Sequence, residues 1–390
     1  MNAKSHPTLG IVTALGIEFL AMETLLDSAE SIHLKGIGKS ILGEIRSSEG
    51  GVHNVVLIEA GIGNNMSAIQ SEKLRNLFPS IETFVMVGIA GACPNHLKVE
   101  DHVRLGDIVA VGSNGIIQYD FLKKVGNESQ HRNPPRPPSS SFLRSVLTLK
   151  REEETNLFPW NSLIEQAINR LGKKWDRPGL SKDILHDTLG NKVKHPKDEL
   201  RQNGKPRAFI GTIASGNTLL KDPVLRDELR DKFGAKAVEM EASGLADASW
   251  LAEVNYYAVR GTCDYCDQHK NDLWQKYAAV VAAAYTKSII SSMPGIIEEE
   301  AMVIPLPNEA VSPLMGNKKN NISLTSIEEA LADLKKAYPN ENEVILLAFR
   351  FNELQKRNRH KTISESRFQL QQNQLFDDIL GLIQALEKRL

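Results

Sequence analysis

The chain has 390 residues, of which 41% are hydrophobic and 24% charged, a balance that supports sizeable cores in one or two domains and excludes wholesale disorder. Lys plus Arg total 47 against 48 for Asp plus Glu, so no global field draws the protein to nucleic acid or an anionic membrane, and neither is an expected partner. Three cysteines, Cys93, Cys263 and Cys266, are too few for a disulfide framework; such sparse usage fits a reducing compartment, and the cytoplasm is the expected location.

The opening MNAKSHPTLG has no apolar h-region, and charge breaks every apolar stretch before about 18 residues, so neither a signal peptide nor a membrane span is expected. Through Met293, short β-branched runs alternate with amphipathic stretches, the pattern of an α/β domain built on one sheet. Strands are expected at LGIVTA (9–14), VVLIEA (55–60), TFVMVG (83–88), DIVAV (107–111) and FIGTIA (209–214), then at 237–240 and 256–260.

From 119 to 206 the character changes. HRNPPRPPSSS (131–141) is rich in Pro and Ser, and charged helical stretches follow around 144–154 and 161–171, so this segment reads as an insertion into the sheet domain. It serves as a lid, binding loop or oligomer contact, or as solvated decoration. The catalytic domain is expected over 1–295 and a linker, containing PLPNEAVSPLMGNKKNN, over 296–322. A helical domain is expected over 323–390. Thr325 and Glu328 fit a capping box, and Ile327, Ala330, Leu331 and Leu334 fall at helical spacing; Val344, Leu347, Phe351 and Leu354 continue the pattern, and Phe368, Leu375, Ile379, Leu382, Ile383 and Leu386 stripe a third helix.

Four constellations carry possible chemistry. Glu18 stands one short turn after the first strand, where it is either a functional carboxylate or the first-turn acid that a helix dipole favours. In VEMEASGLA (238–246), Glu239 and Glu241 flank Met240 at a strand end, and alternate positions on a strand share a face, so both carboxylates could enter one cleft. VRGTCDYCDQHKND (259–272) carries Asp264, with Cys263, Cys266 and His269 close by. No second cysteine pair completes a zinc set and no thioredoxin pattern surrounds it, so packing cysteines beside a functional aspartate are expected, with no metal. AGIGNN (60–65) and VGIAGAC (87–93) are glycine-rich strand ends without the dinucleotide fingerprint or a Walker lysine. They imply close backbone approach to a ligand, or tight turns for packing alone.

Together these segments resemble the purine nucleoside phosphorylase and nucleosidase superfamily, in particular its methylthioadenosine/S-adenosylhomocysteine nucleosidase-like branch. VGIAGA, GTIASGNTLLKD (211–222), VEMEASGLA and RGTCDYCDQHKNDLWQKYAAVVAAAY (260–285) occur in the family's order. The resemblance implies a mixed central sheet flanked by helices and hydrolysis of a purine N-glycosidic bond without a cofactor. It casts Glu18 as the general base that activates water, Glu241 as the carboxylate holding the ribose hydroxyls, Met240 as packing on the sugar and Asp264 as the acid at purine N7, favouring adenine. Glu239 joins the substrate set, Ala90 and Gly91 line the water's pocket, and Leu219 and Leu220 meet the base; Asn217 stands where the family more often has Asp. The Arg and Ser of phosphorylases are missing from Met86 to Ile89, which implies hydrolysis over phosphorolysis.

If the substrate is a nucleotide, Lys123, Lys124, Arg132 and Arg136 of the insertion are the candidate phosphate cations, unless their charge only solvates a loop. The C-terminal region, with NENEVILLAFRFNELQKRNRHKTIS (340–364) and LFDDILGLIQAL (375–386), resembles the effector-associated helical domains of bacterial conflict systems. That likeness implies a protein partner bearing a similar domain. The expectation is a regulated antiphage effector, a dimer or hexamer, that releases adenine from ATP, dATP, AMP or adenosine. The alternatives are a housekeeping nucleosidase of methylthioadenosine or S-adenosylhomocysteine and a catalytically silent nucleotide sensor.

Overall fold

Strand β1 (Leu9–Thr13) is buried at all five positions, which is why LGIVT reads as an unbroken apolar run: layers cover both faces of the sheet. The computed structural model describes residues 6–126, 128–132, 135–295 and 324–337, with positions 344, 347, 348, 351, 355, 375, 379 and 382. It divides into two compact units, 1–297 and 298–390.

In the first unit, α1 (Gly16–Leu25) precedes a hairpin of β2 (Asp27–Leu34) and β3 (Gly38–Arg46), and β4 (Val52–Glu59) and α2 (Asn64–Leu77) lead to β5 (Thr83–Ala92) and β6 (Ile108–Gln118). A small hairpin, β7 (Leu122–Val125) and β8 (Glu128–His131), comes before α3 (Ser140–Glu154), α4 (Pro159–Leu171) and the short pair β9 (Leu185–His186) and β10 (Lys192–Val193). The unit closes with β11 (Ala208–Ser215), α5 (Pro223–Phe233), β12 (Ala235–Glu239), α6 (Ala242–Leu251), β13 (Asn255–Asp264) and α7 (Gln275–Ser291).

Nine strands form one mixed sheet in the order β12-β11-β6-β13-β5-β1-β4-β3-β2. β4, β1, β5 and β13 run parallel, whereas β13 and β6 are antiparallel. The far end of β5 bends back to pair with β12, Val238 opposite Gly91. The sheet therefore curls on itself, and the ends of β1, β5, β12 and β13 meet around one hollow, where an α/β sheet places its ligands.

Every strand expected from the sequence is present. β5, β6 and β13 run on past the glycines expected to end them, because ladder pairing continues there: β5 with β13 and β12, and β6 with β11. The β2–β3 hairpin was not expected: β2 is an edge strand, DSAESIHL, with mostly exposed side chains and no apolar alternation to mark it.

The 119–206 segment is not a decoration. Phe142, Val146 and Leu149 of α3 and Trp160, Ile164 and Ala167 of α4 belong to the main buried core. Phe142 stacks on Tyr257 of β13 at 5.0 Å between centroids, and Trp160 meets Tyr285 of α7 edge-on at 5.1 Å.

In the second unit a helix spans Leu324–Ala337, so Thr325 stands inside it rather than at its cap. Ile327, Ala330, Leu331 and Leu334 join Val344, Leu347, Phe351, Leu375, Ile379 and Leu382 in one apolar cluster, which unites the three expected stripes. The expected linker, and Leu354, Phe368, Ile383 and Leu386 of the stripes, lie outside the described residues. Among the described residues no helix is long and apolar enough to cross a membrane.

Candidate active site

Glu18 sits on the first turn of α1 and folds back over the end of β1. Its Oε2 accepts the N–H groups of Ala14 and Leu15 at 2.8 and 2.9 Å, and its Oε1 accepts that of Ile89 on β5 at 2.8 Å. A side chain at Gly88 would collide with both the Glu18 carboxyl and the Arg260 guanidinium, so the glycine lets these two groups approach. Burial raises the Glu18 pKa above the usual carboxylate range, against the opposing pull of Arg260 and the three backbone donors.

Arg260, in the middle of β13, is fully buried. It ion-pairs with Glu239 and lies 3.5 Å from Glu241. Glu239 spends its carboxylate locally, accepting the N–H of Glu241 at 3.0 Å and that of Ala242 at 2.9 Å at the start of α6. It is therefore an anchor for the helix and for Arg260. Glu241 keeps one oxygen on the Gly63 N–H at 3.1 Å. Burial first, then repulsion from Glu239, pushes the Glu241 pKa up to about 7 even though Arg260 pulls it down. Three carboxylates face one guanidinium, and that environment favours holding a proton near neutrality.

Asp264 ends β13. Its Oδ1 accepts the Cys266 N–H at 2.8 Å, and its Oδ2 accepts the Cys263 thiol at 3.3 Å and pairs with the Lys270 ammonium at 2.7 Å. At Gly91 a side chain would run into Asp264 and the Cys266 sulfur. Burial raises the pKa of both thiols well above the ordinary value, so they pack as neutral groups. His269 stacks on His186 at 3.9 Å, and no group of three His, Cys, Asp or Glu among the described residues could hold a metal ion.

These groups surround a cavity of about 340 Å³ lined by Glu18, Ala90, Gly91, Leu219, Leu220, Glu239, Met240, Glu241 and Asp264. All nine residues singled out for catalysis or substrate contact thus meet in one place. The four insertion cations do not line it. Lys123, Lys124 and Arg132 are exposed on or beside the β7–β8 hairpin, and Arg136 is held by Asp247 at 3.2 Å and lies 4.7 Å over the Trp250 ring. Asn217 accepts the Asn64 N–H at 3.1 Å and so ties two loops together.

Sequence reasoning missed Arg260 and Lys270. An arginine inside the apolar run YYAVRGT was the available signal, since a charge in a strand covered on both faces requires a buried partner. Also missed was the brace behind Asp264: Tyr265 donates to Asp183 at 2.5 Å, Arg104 holds the same carboxylate, and Trp274 donates to the Lys182 carbonyl at 3.4 Å. Part of the 119–206 segment is thereby the outer support of the loop that carries Asp264 and Lys270.

Residues 8–291 match the family model described as Phosphorylase superfamily, and residues 317–387 match Effector-associated domain 11. The chain belongs to the Phosphorylase superfamily and carries an effector-associated domain at its C-terminal end. It is 29% identical over 304 residues to a nucleotide-binding leucine-rich repeat (NLR)-like protein of Hyaloscypha variabilis, covering 74% of this chain and 29% of that one. It is 28% identical over 289 residues to the ATP nucleosidase Cap17 of Escherichia coli, covering 72% and 50%. The chain thus spans half or less of these two relatives. A 5'-methylthioadenosine/S-adenosylhomocysteine nucleosidase of Mycobacterium bovis is 22% identical, with 74% and 97% covered. Among solved structures, S-adenosylhomocysteine nucleosidase of Streptococcus pyogenes superposes with a TM-score of 0.51 at 18% identity, over 75% and 100% of the two chains, which establishes a common fold.

Proposed function

We propose that this chain is a purine nucleosidase that hydrolyses the N-glycosidic bond of adenine nucleotides or adenosine, and that it acts as a regulated effector in antiphage defence. The observation that carries the reading is the convergence of Glu18, Glu241 and Asp264 on one cavity, with Arg260 buried among the carboxylates. Glu18 takes the proton of a water attacking C1′ of the ribose, and burial, by raising its pKa, makes it a stronger base than a free carboxylate. Glu241 accepts the ribose hydroxyls and stabilises the sugar as it becomes cationic, with Met240 packed on the ring. Arg260 keeps the two carboxylates at fixed separation, and Asp264 faces the base.

Hydrolysis is favoured over phosphorolysis because the Ile89 N–H, at the turn where a phosphate would need donors, is already given to Glu18. The name of the Cap17 relative supports ATP as substrate, and the match to Effector-associated domain 11 supports recruitment by a partner with a related helical domain. The protein acts in the cytoplasm as a homo-oligomer, a dimer or hexamer.

One observation favours a second reading. Leu15, Ile62 and Ile89 line the cavity, and Lys270 is the single cationic side chain among its described lining residues, which suits an apolar 5′ substituent such as that of methylthioadenosine. Incubating the protein with ATP, dATP, AMP, adenosine, methylthioadenosine, inosine and GTP, with and without phosphate, decides between them. Phosphate-independent adenine release from nucleotides supports the effector, and release from methylthioadenosine alone supports the metabolic enzyme. No release from any substrate, also with the partner present, leaves the silent sensor.

A further inference from the structure

The two oxygens of Asp264 are engaged differently. Cys266 has a φ of 51°, in the left-handed region, and this turn brings its N–H onto Oδ1 at 2.8 Å, so Oδ1 is tied to the backbone. Oδ2 is the oxygen left for a base. Besides the weak Cys263 thiol donor at 3.3 Å, it has the Lys270 ammonium at 2.7 Å. The ammonium and the N7 side of a purine therefore claim the same oxygen, and a base docks there only when the lysine has another place to go. Lys270 hangs from a flexible four-carbon stem, lines the cavity and is 19% exposed, so its head is free to swing. Around it the wall carries five carboxylates, Glu18, Glu239, Glu241, Asp264 and Asp272, and Lys270 is the single cation among the described lining residues. A polyanion entering this cavity meets repulsion that Lys270 alone on its wall offsets.

We propose that Lys270 is the residue that selects nucleotides over nucleosides: it moves from Asp264 Oδ2 to the 5′ phosphate of the substrate, which leaves Oδ2 to the purine N7. The inference rests on the adenine-nucleotide reading and supplies the cation that the insertion does not. In a purine nucleotide with its base anti, N7 and the 5′ phosphates lie on the same side of the glycosidic bond, close enough for one cation to touch both. A lysine beside the residue that meets N7 is thus also beside the phosphate. A phosphate oxygen returns to the ammonium the charge-assisted bond that it gives up at Asp264. A nucleoside returns nothing and has to displace the lysine uncompensated. Phosphate binding thereby acts at the leaving group, and the selectivity appears in kcat as well as in KM.

The test uses the full chain and measures adenine release from adenosine, AMP and ATP by the wild type, Lys270→Met and Lys270→Arg. In the wild type, kcat is expected to rise at the step from adenosine to AMP. In Lys270→Met the ratio of kcat/KM for ATP over adenosine is expected to fall roughly 30-fold, the span of a hydrogen bond to a charged group. The fall comes from a loss on ATP, while kcat for adenosine holds or rises because nothing competes for Oδ2. Lys270→Arg keeps a phosphate-binding cation, and its ratio is expected within about threefold of the wild type.

Equal losses on adenosine and ATP would show that the lysine only supports its loop and would overturn the proposal. A wild type in which the first phosphate changes KM alone, with no gain in kcat, would overturn it without recourse to any variant. Should the wild type release adenine from no nucleotide, the nucleotide reading fails and the inference falls with it. A wild type active on ATP, whose ratio survives in Lys270→Met, removes Lys270 alone.

Discussion

Tyr265 donates its phenol hydrogen to Asp183 across 2.5 Å, joining neighbours of Asp264 to a segment 82 residues earlier in the chain. Arg104 grips the same carboxylate at 2.7 Å and His195 lies 3.4 Å from it. The loop bearing Asp264 and Lys270 is thus fastened from behind by a buried, charged acceptor.

Tyr265→Phe removes that donor and keeps the ring. Hydrogen bonds to charged groups contribute about 1.5–3 kcal/mol, so the variant is expected to unfold at lower denaturant and to release base more slowly at saturating substrate. Equilibrium urea unfolding and kcat check this together. An unchanged midpoint with unchanged kcat would show that Arg104 alone sets the loop.

The carboxylate cluster predicts a stability slope. Burial and the nearby Glu239 carboxylate push the Glu241 pKa up to about 7 from an ordinary 4.5, so the native state binds its proton more tightly than the unfolded chain. This contribution is complete below pH 4.5 and is lost as pH rises toward 7. Glu18, also raised, adds in the same sense. His102, lowered by burial to about 3 from 6.5, works oppositely, because its contribution is lost as pH falls below 6.5. Subtracting the unfolding free energy of Glu241→Gln from that of the wild type across pH 4–8 isolates the first effect; a flat difference would reject it.

Arg260→Met leaves Glu239 and Glu241, both buried, without their shared cation. Removing one partner from a buried ion pair costs roughly 3–5 kcal/mol, so this variant is expected to be among the least stable in the sheet. Chemical denaturation measures the loss, and a cost under about 1 kcal/mol, typical of exposed pairs, would contradict the geometry.

Alanine at Lys123, Lys124 and Arg132 is expected to leave the ratio of kcat/KM for ATP over adenosine within about fivefold, the span of an exposed charge contributing up to about 1 kcal/mol. A larger drop would mean that these side chains reach phosphates after all. Arg136→Ala should instead lower thermal stability, through the loss of Asp247 and the Trp250 ring.

The strands carrying the site were legible because they are buried on both faces and so read as apolar runs; Glu239 and Asp264 stand at their ends, and Glu18 and Glu241 where the helices after them begin. Arg260 and Lys270 were not, since their importance lies in partners on other strands and loops. The β2 strand hid because an exposed edge imposes no alternation. The charge of the 119–206 segment drew attention to its surface, yet Phe142 and Trp160 place it in the core. The insertion cations illustrate the same limit: composition marks a charge, and only the fold says what it faces.

The pairing of Val238 with Gly91, where β12 meets the far end of β5, sews the floor of the cavity shut through backbone amides. Such amides exchange their hydrogens only when much of the sheet opens, so breathing of the floor contributes little to ligand entry. Access and selectivity then fall to the two loops around Leu219 and Lys270. A descendant of this chain could change the ligand that the cavity takes by altering those rims while the carboxylates beneath stay in register.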